Sequence, residues 1–493
     1  MPQTLIVRAD ADSNVGAGHV LRCLALSQAW LSRGGRVVFV TATQDPFLLE
    51  RLTSEAGIEV HPAVAPTGSA EDARATSRIA VDQRASWVVV DGYHFGASFQ
   101  SLLVEQGQKV LWIDDFGHAG TYTAHLVLNQ NLDADERLYA QRDARTRLLL
   151  GSRFTLLRRE FLHWAAIDRE RPASVTDVLL LAGGGGANDL SDRVLGMLTE
   201  LESERLRFHV IGHTPSEASQ DPRIHRYQRL SDLSGLMADS QLAVSAAGST
   251  AWELAFMGVP ALLVSVAENQ RPVAAALEHH GAAVDLGWHT ELEGERLRNH
   301  LEGLIRDRDA RSEMTRRGQE LVDGEGADRV VAQLLQEPLR LRPVRPTDRR
   351  RIWDWANDPQ VRQASFSPEP IPWADHVAWF DRQLAADAGP FWLAMNEDET
   401  AVGQIRFELA SADEADVHIA VRQGQRGRGV GASLIELATQ RFFQQSPVAR
   451  VHAYIRPENA ASLHAFRRAG YQPAEDAVIK GRTVKHYLAE RKA

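Results

Sequence analysis

Short apolar runs alternate with stretches of helical periodicity through the first third of the chain. Continuous apolar runs predict buried strands at residues 4–7, 36–41, 87–93 and 109–115. Between the first two runs, Val20, Leu24 and Leu31 recur on one face at the helical period. The last two runs carry aspartates at their ends, and polar residues at the carboxyl ends of parallel strands predict a site along that edge.

The same alternation starts again near residue 160. Apolar runs such as "DVLLL", "LAVSA" and "ALLVSV" are separated by helical stretches, and Gly258 and Pro260 mark the end of one helix. Two similar α/β halves are therefore predicted, at residues 1–160 and 161–336. The cleft between them is the expected position of a ligand.

The character of the chain changes after Glu337, where three prolines and six arginines fall within about twenty residues. A basic arm for nucleic acid is one interpretation. We favour a linker followed by the first strand and helix of a third domain, residues 339–493, because Asp348 and Asp354 interrupt the positive charge and Trp353 is a packing residue.

Composition narrows the class of protein. The 493 residues carry a formal net charge of −10, which argues against nucleic acid as the main partner. Cys23 is the only cysteine, so an internal disulfide is excluded and a reducing compartment is indicated. No apolar run approaches the roughly 18–20 residues that span a bilayer, and the N-terminus lacks the apolar core of a signal peptide. We expect a cytoplasmic protein with no membrane partner, and a homo-oligomer stays open.

The most specific local pattern lies in the third domain. A predicted strand at 416–421 ends at Val421 and runs into a glycine loop and a helix. A second strand at 451–455 is followed by Asn459 and another helix. Glycines in such a loop let a pyrophosphate approach the backbone N–H groups of the helix start. The loop matches R-x-x-G-x-G with Arg426, Gly427, Arg428, Gly429, Val430 and Gly431.

Together these two elements resemble the GCN5-related N-acetyltransferases (GNAT) over residues 339 to about 490. "WANDPQVR" and "HVAW" are similar to members that acetylate amino sugars on nucleotides. The resemblance implies acetyl-CoA as co-substrate, bound by the loop residues above together with Val421 and Asn459. A free amine would attack the thioester, and an acid would protonate the departing thiolate.

The thiol acid is less well defined than the cofactor loop. Phe466 stands where family members often have tyrosine, so Tyr454, His464 and Tyr471 are alternatives, with Tyr454 taken as the candidate. On the preceding strand, Glu414 and His418 are candidates for relaying a proton from the amine, with a structural or solvated role as the competing interpretation.

The opening stretch "VRADADSNVGAGHVLRC" joins a strand, a glycine loop and a helix, which is an anion-binding arrangement. Gly16 and Gly18 do not complete a dinucleotide fingerprint, because Leu21 occupies the place of the third glycine. His19 lies outside the apolar stripe of the helix. The positive end of the helix dipole disfavours a protonated ring, so His19 is either a catalytic base or a solvated residue at a helix start.

This stretch resembles the UDP-sugar hydrolases of pseudaminic acid biosynthesis, as do "VVVDGYHF", "WIDDFGH", "LLGSRFTLLRREF" and "SAAGSTAWELAFMGVPALLVSVAENQ". The resemblance implies a fold of GT-B type, with two Rossmann-like halves and the nucleotide held mainly by the second. The predicted fold class is α/β, with these halves followed by an α/β GNAT domain. The resemblance also implies that His19 is catalytic.

In the second half, Gly248, Ser249 and Thr250 are predicted to bind the diphosphate. Glu253 is predicted to accept the ribose hydroxyls, with a capping box started by Thr250 as the competing interpretation. At the sugar, Asn269 is the best candidate of its segment.

Strand-end residues of the first half complete the predicted site. Tyr93, with Asp91, is expected across the cleft from the Asn269 segment. Asp114 and Asp115 resemble a metal pair, but carboxylates at strand ends more often cap the next element, and no metal is predicted.

The sequence thus predicts a bifunctional enzyme acting on a UDP-amino-sugar. It would acetylate the 4-amino group of a UDP-4-amino-4,6-dideoxy sugar and then hydrolyse the diacetamido product to UDP and free sugar. One alternative is a GT-B glycosyltransferase fused to an acetyltransferase. Another is a hydrolase with a non-catalytic domain that senses acetyl-CoA.

Overall fold

Parallel strands form the first sheet, and its central strands are largely buried whereas the edge strands are partly exposed. Its order is β3-β2-β1-β4-β5-β6-β7, so β1 and β4 lie side by side and their following connections diverge. In the computed structural model the strands are β1 Thr4–Ala9, β2 Arg36–Thr41, β3 Ile58–Pro62, β4 Ala85–Asp91, β5 Val110–Ile113, β6 Leu126–Asn129 and β7 Arg147–Leu150. The helices are α1 Gly18–Ser32, α2 Pro46–Thr53, α3 Ala70–Asp82, α4 Ala97–Glu105 and α5 Arg159–Leu162, with 3-10 turns at Glu136–Tyr139, Ser152–Phe154 and His163–Ala166.

A second parallel sheet follows, in the order β10-β9-β8-β11-β12-β13. Its strands are β8 Asp177–Leu181, β9 Arg207–Ile211, β10 Ile224–Tyr227, β11 Leu242–Ala246, β12 Ala261–Ser265 and β13 Ala283–Trp288. Its helices are α6 Asn188–Thr199, α7 Ser234–Asp239, α8 Ser249–Met257, α9 Arg271–His279, α10 Gly294–Arg306, α11 Arg308–Leu321 and α12 Gly326–Leu334, with 3-10 turns at Glu268–Gln270 and His289–Glu291. Gly258 ends α8 with a left-handed φ of 63°, the role expected of it.

The third sheet is mixed and has the order β14-β15-β16-β17-β18-β20-β19. Its strands are β14 Arg340–Pro343, β15 Phe391–Met395, β16 Ala401–Leu409, β17 Glu414–Val421, β18 Arg450–Ile455, β19 Gln472–Ile479 and β20 Arg482–Glu490. Its helices are α13 Arg349–Ala356, α14 Pro359–Ala364, α15 Trp373–Gln383, α16 Val430–Gln445 and α17 Ala460–Arg468, with 3-10 turns at Pro346–Asp348 and Gln423–Gln425. An apolar core including Phe407, Phe442 and Tyr487 lies in this region.

The chain divides into two units, Met1–Val331 with the two parallel sheets and Ala332–Ala493 with the mixed sheet. The structure describes residues 3–11, 16–166, 172, 174–181, 188–199, 205–212, 221–228, 230–335, 339–384, 389–396, 399–427 and 429–491. Two parallel sheets followed by a mixed sheet confirm the predicted fold class. Within these residues, no helix is both long and apolar enough to cross a membrane.

The arginine-rich segment forms β14 and α13, as the linker interpretation expected. Five of its six arginines make ion pairs with acidic residues of the same unit. Among them, Arg342 donates to Asp348 at 2.7 and 2.8 Å. The positive charge of this segment is therefore largely compensated within the fold.

Candidate active sites

His19 lies in the first turn of α1 and is only 5% exposed. Its Nδ1 lies 2.7 Å from Oδ1 of Asp91, the fully buried last residue of β4. The interpretation of His19 as a solvated residue at a helix start is therefore wrong. The ring also packs edge-on against Tyr93, with 4.6 Å between the ring centroids.

The charge state of Asp91 defines the tautomer of His19. Burial alone would raise the pKa of this carboxyl, but the positive charge of Arg22 and the interaction with His19 hold the pKa well below its usual range. An ionised carboxylate at 2.7 Å needs a proton on Nδ1 of His19. In the neutral ring, Nε2 then carries the lone pair and is the basic nitrogen.

Arg22, one turn after His19 on α1, connects Asp91 to a second carboxylate. Its Nε and Nη2 donate to Asp91 at 2.7 Å each, and its Nη1 donates to Asp115 at 2.7 Å. Asp115 also accepts from the Tyr93 hydroxyl at 2.6 Å. Cys23, fully buried beside Arg22, has its Sγ 3.5 Å from Asp91 Oδ2.

Asn269 brings the second half into contact with this network. Its Nδ2 donates to the Tyr93 hydroxyl at 2.8 Å. Burial and the charge of Asp115 raise the pKa of Tyr93, so its hydroxyl stays protonated and can donate to Asp115 while accepting from Asn269. The structure therefore brings three of the predicted residues, His19, Tyr93 and Asn269, to one place.

Two helix N-termini approach each other across the same cleft. A Cβ placed on Gly18, the first residue of α1, would lie 3.4 Å from Oγ of Ser249, the first residue of α8. Among the described residues, no side chain caps either helix start. Gly16 has a φ of +73°, which favours glycine, and precedes α1. The arrangement directs two positive helix ends toward one region, which suits an anion.

Glu253 is more deeply buried than the sequence suggested. Its Oε1 accepts from Arg158 Nη2 at 2.9 Å, and burial raises the pKa of Glu253 despite this cation. The capping-box interpretation is wrong, because α8 begins at Ser249 with Gly248 as its N-cap, and Thr250 lies inside the helix. The proposed contact between Glu253 and a ribose stays a prediction.

Asp114 and Asp115 have different roles. Asp114 is fully buried and its Oδ1 accepts the N–H groups of Phe116 and Gly117 at 2.8 and 2.7 Å, so it shapes the turn after β5. Asp115 belongs to the network around Arg22. No group of three metal-ligating side chains occurs within the described part of the chain.

In the second unit, strands β17 and β18 pair only at their amino ends. They are parallel over Glu414–Asp416 and Arg450–His452, and the pairing stops there. Beyond this point the strands diverge, leaving backbone N–H and C=O groups of the end of β17 without a partner on β18. A wedge of this kind can receive an extended ligand through main-chain hydrogen bonds.

The glycine loop leads from this wedge into α16. Gly427 and Gly429 have φ values of +74° and +84°, so backbone conformation alone favours glycine at both positions. At Gly431 a Cβ would meet Val421 at an ordinary 3.7 Å, so space remains there. No side chain among the described residues caps α16, and a helix start of this kind suits an anion.

Arg426 and Asn459 make local structural contacts. Arg426 Nε donates to the carbonyl of Val421 at 3.0 Å, and its Nη1 donates to Asp358 at 2.9 Å. Asn459 caps α17 by accepting from the N–H of Ser462 at 3.1 Å. Arg428 lies outside the described residues. The predicted cofactor contacts of these residues stay predictions.

The candidates for the thiol acid occupy different environments. Tyr454 lies on the part of β18 that no longer pairs with β17. Its ring stacks on that of His486, with 4.8 Å between the ring centroids. Burial, with the charges of Asp416 and Glu414, raises the pKa of Tyr454 and keeps its hydroxyl protonated. Tyr471 is instead buried in the core with its hydroxyl 2.8 Å from that of Thr439.

Of the remaining candidates on this unit, Phe466 is packed in the core and His464 is exposed on α17. Glu414 pairs with Arg450 at 2.8 Å, and His418 Nε2 lies 3.3 Å from Glu408. The hydrogen bond from His418 lowers the pKa of Glu408 to about 2. Glu414 and His418 therefore both have partners within the sheet.

These two sites can be set beside known proteins. Residues 178–330 match the family model of the glycosyltransferase family 28 C-terminal domain, and residues 338–472 match that of the acetyltransferase (GNAT) domain. The chain is a fusion of a glycosyltransferase-like region with a GNAT acetyltransferase domain. Of the first site, Asn269 and the start of α8 lie within residues 178–330, whereas His19, Asp91 and Tyr93 precede that range, and the wedge lies in the GNAT domain.

Individual relatives are similar to different shares of the chain. An uncharacterized protein of Methanocaldococcus jannaschii is 19% identical over 502 residues, 95% of this chain and 96% of that protein. The pseudaminic acid cytidylyltransferase and UDP-2,4-diacetamido-2,4,6-trideoxy-beta-L-altropyranose hydrolase of Helicobacter pylori is 29% identical over 189 residues, 37% of this chain and 34% of that protein. Among solved structures, MurG of Acinetobacter baumannii is 17% identical with a TM-score of 0.49, over 68% of this chain and 99% of MurG. Through the Helicobacter pylori relative, the chain is related to proteins of sugar biosynthesis.

Sequence reasoning missed three residues of the first site. Arg22 had a visible signal, since it is a charged residue one turn from His19 within an otherwise apolar helix. Asp115 accepts a hydrogen bond from Tyr93, and its position depends on the turn that Asp114 stabilises after β5. Arg158 meets Glu253 only because the halves fold together, and no local pattern predicts that contact.

Proposed function

We propose that the chain is a bifunctional nucleotide-sugar enzyme of pseudaminic acid biosynthesis. Its GNAT domain acetylates the 4-amino group of a UDP-4-amino-4,6-dideoxy sugar, and its glycosyltransferase-like region then hydrolyses the UDP-diacetamido-trideoxy sugar. The observation that carries the proposal is the His19–Asp91 pair, which leaves Nε2 as the basic nitrogen of a ring packed against Tyr93, the residue that Asn269 contacts. The hydrolase named in the Helicobacter pylori relative supports this assignment.

Hydrolysis needs a base and a stabilised leaving group. Nε2 of His19 takes a proton from water as the water oxygen bonds to the anomeric carbon. The bond from that carbon to the diphosphate oxygen breaks, and UDP departs with the electron pair. The starts of α1 and α8, with Gly248, Ser249 and Thr250, stabilise its negative charge.

Acetyl transfer needs an extended binding site and an acid. The diverging ends of β17 and β18 fit the pantetheine arm of acetyl-CoA, and the loop with Gly427 and Gly429 fits its pyrophosphate. Acetyl-CoA supplies the thioester carbonyl that the sugar amine attacks. The bond from nitrogen to the carbonyl carbon forms, and the C–S bond breaks as Tyr454, kept protonated by its surroundings, gives its proton to the departing thiolate. The nitrogen loses a proton to water, and a proton from water restores Tyr454. The expected cytoplasmic location agrees with the use of acetyl-CoA.

His19→Asn tests the hydrolytic step. Asparagine keeps a hydrogen bond toward Asp91 but removes the basic nitrogen, so UDP release from the diacetamido substrate should fall by roughly 10²-fold or more. Release of CoA from the 4-amino substrate and acetyl-CoA should stay unchanged. Near-normal UDP release by a folded His19→Asn protein would contradict the assignment.

The order of the two steps has its own test. A free 4-ammonium group would have to be desolvated on entering a site near Asn269, which is unfavourable for a charged group. The 4-amino substrate should therefore release little UDP in the absence of acetyl-CoA. Adding acetyl-CoA should give CoA first and UDP after a lag. Equal UDP release with and without acetyl-CoA would contradict this order.

A glycosyltransferase is the second candidate, favoured by the family 28 match over residues 178–330. Reaction in ¹⁸O-labelled water separates the two. A hydrolase incorporates one ¹⁸O atom into the free sugar, with none in UDP. A glycosyltransferase leaves the UDP-sugar intact until an acceptor is added, and that result would replace hydrolysis with sugar transfer.

A further inference from the structure

A second histidine–aspartate pair lies at the same edge of the first sheet. Strands β1 and β4 are neighbours, with Ala9 opposite Asp91. His19 follows β1 and pairs with Asp91 at the end of β4, whereas His94 follows β4 and pairs with Asp10 after β1. Each histidine therefore follows one of the two strands and pairs with an aspartate at the end of the other. The connections from β1 and β4 diverge at this point, and open α/β sheets bind ligands at such a point.

Asp10 is held so that one oxygen is directed to His94. Its Oδ1 accepts from Arg8 Nη1 at 2.5 Å and from the N–H of Ala42 at 2.6 Å. Its Oδ2 is buried, makes no hydrogen bond with the described residues and has Nε2 of His94 as an ion-pair contact at 3.2 Å. Burial alone would raise the pKa of Asp10, but His94 and Arg8 hold the pKa well below its usual range, so this carboxylate is ionised.

The two histidines are therefore held by opposite nitrogens. His19 contacts its carboxylate through Nδ1, whereas His94 contacts its carboxylate through Nε2. A proton on Nε2 leaves Nδ1 of the neutral His94 ring as a hydrogen-bond acceptor. The His94 side chain is 27% exposed, against 6% for His19, so part of the His94 side chain is accessible to a ligand.

Neighbouring residues pack closely against the ring of His94. A Cβ on Gly92, which has a φ of +148°, would come within 2.9 Å of Cε1 of His94. The ring packs on Phe95 with 4.2 Å between centroids. Behind Asp10, Arg8 is fully buried between Asp10 and Asp72. Such buried ion networks contribute little net stability, so a role in orientation accounts better for this one.

We infer that His94 contacts the sugar, accepting a hydrogen bond at Nδ1 from an acetamido N–H of the substrate, with Asp10 as its positioning residue. This inference rests on the proposed function. Its neighbour Tyr93 contacts the ring of His19, which supplies the proposed base, and the side chain of Asn269, whereas the proposed diphosphate contacts are the helix starts of α1 and α8. The sugar is therefore placed beside Tyr93, and His94 helps to select acetamido sugars.

Two substitutions separate ligand contact from structural support. His94→Gln puts its amide near the position of Nε2, so it keeps the Asp10 contact but loses the acceptor at Nδ1. His94→Asn puts its amide near Nδ1 and loses the Asp10 contact. His209→Gln is a matched control, because His209 contacts Asp177 through Nε2 at 2.8 Å at the amino end of β8.

The full chain is assayed with the UDP-diacetamido-trideoxy sugar, and binding of UDP alone is measured by calorimetry. We expect His94→Gln to raise KM about tenfold, with kcat within about twofold, because a contact made equally in ground and transition states is lost. The Kd of UDP and the Tm should match those of the parent and of His209→Gln. We expect His94→Asn to lower Tm while raising KM less.

Other outcomes would overturn the inference. If His94→Gln keeps the parent KM and only His94→Asn lowers Tm, the pair is structural. If His94→Gln weakens UDP binding as much as it raises KM, the contact is to the nucleotide. A parent protein that does not hydrolyse the sugar nucleotide overturns the proposed function and this inference with it, whereas the first two results leave the proposed function standing.

Discussion

Replacing Asp91 by asparagine should reverse the tautomer of His19. The asparagine side chain has one acceptor and one donor group, and it must satisfy both Arg22 and His19. Arg22 donates to both oxygens of Asp91 at 2.7 Å, Nε to Oδ2 and Nη2 to Oδ1, and Oδ1 is also the oxygen that His19 contacts. With the amide oxygen in the Oδ2 position, asparagine still accepts from Nε of Arg22, and its NH₂ group in the Oδ1 position faces Nδ1 of His19. His19 then accepts at Nδ1 and carries its proton on Nε2, the nitrogen that should be the base.

The effect on rate should be large and the effect on folding moderate. An orienting aspartate replaced by asparagine in a serine protease triad lowers kcat about 10⁴-fold through the wrong tautomer, so a loss of about 10³- to 10⁴-fold is expected here. Arg22 keeps Asp115 at 2.7 and 3.1 Å, which limits the destabilisation to roughly 1–3 kcal/mol.

The assay is UDP release from the diacetamido substrate, with folding followed by calorimetry. Asp177→Asn is the control, because Asp177 holds His209 at 2.8 Å and Arg207 at 2.6 Å away from the site. The control should keep the parent rate even if its Tm falls. A folded Asp91→Asn protein whose kcat stays within tenfold of the parent would refute the tautomer argument.

Three further predictions concern the nucleotide, the cofactor loop and pH. UDP should protect the amides of Gly248–Glu253 from hydrogen exchange by at least about tenfold, and protection confined to Gly16–Gly18 would mean that the first half holds the diphosphate. Gly429→Val should reduce CoA release at least tenfold and spare hydrolysis of pre-acetylated substrate, because a β-branched residue is strained at a φ of +84°, whereas Gly424→Val, in open space, should be neutral in both assays. The pKa of Glu408 is lowered to about 2, so its contribution to stability is complete above about pH 4.5 and is lost as the pH falls toward 2. The Tm difference between the parent and Glu408→Gln should therefore shrink over that range on acidification, and a constant difference would contradict the shifted pKa.

Helices and strands could be predicted from the sequence better than contacts between distant residues. Continuous apolar runs such as 36–41 coincide with a strand, Arg36–Thr41, because burial on both faces of a parallel strand leaves a clear pattern. The helix starts at His19 and after Asn459 were also predicted, since each depends on neighbours within a few residues.

Contacts between distant segments were not visible. Asp91 and His19 are 72 positions apart, and Arg158 and Glu253 are 95 apart. Periodicity predicts that each residue lies at a strand end or helix start, but it does not say which ends meet. The crossed pairing of His94 with Asp10 depends on β1 and β4 being adjacent, which is a property of the strand order.

The solitary cysteine provides a natural reporter of how the first site opens. Cys23 is fully buried on α1 beside Asp91, and burial raises the pKa of its thiol well above the usual value. The thiol is therefore protonated and shielded while α1 stays docked. Alkylation of the native protein then has to wait for α1 to detach from the sheet, so the labelling rate measures that motion without any introduced probe. A nucleotide that bridges the starts of α1 and α8 would slow this reaction, whereas acetyl-CoA, bound in the other unit, would leave it unchanged.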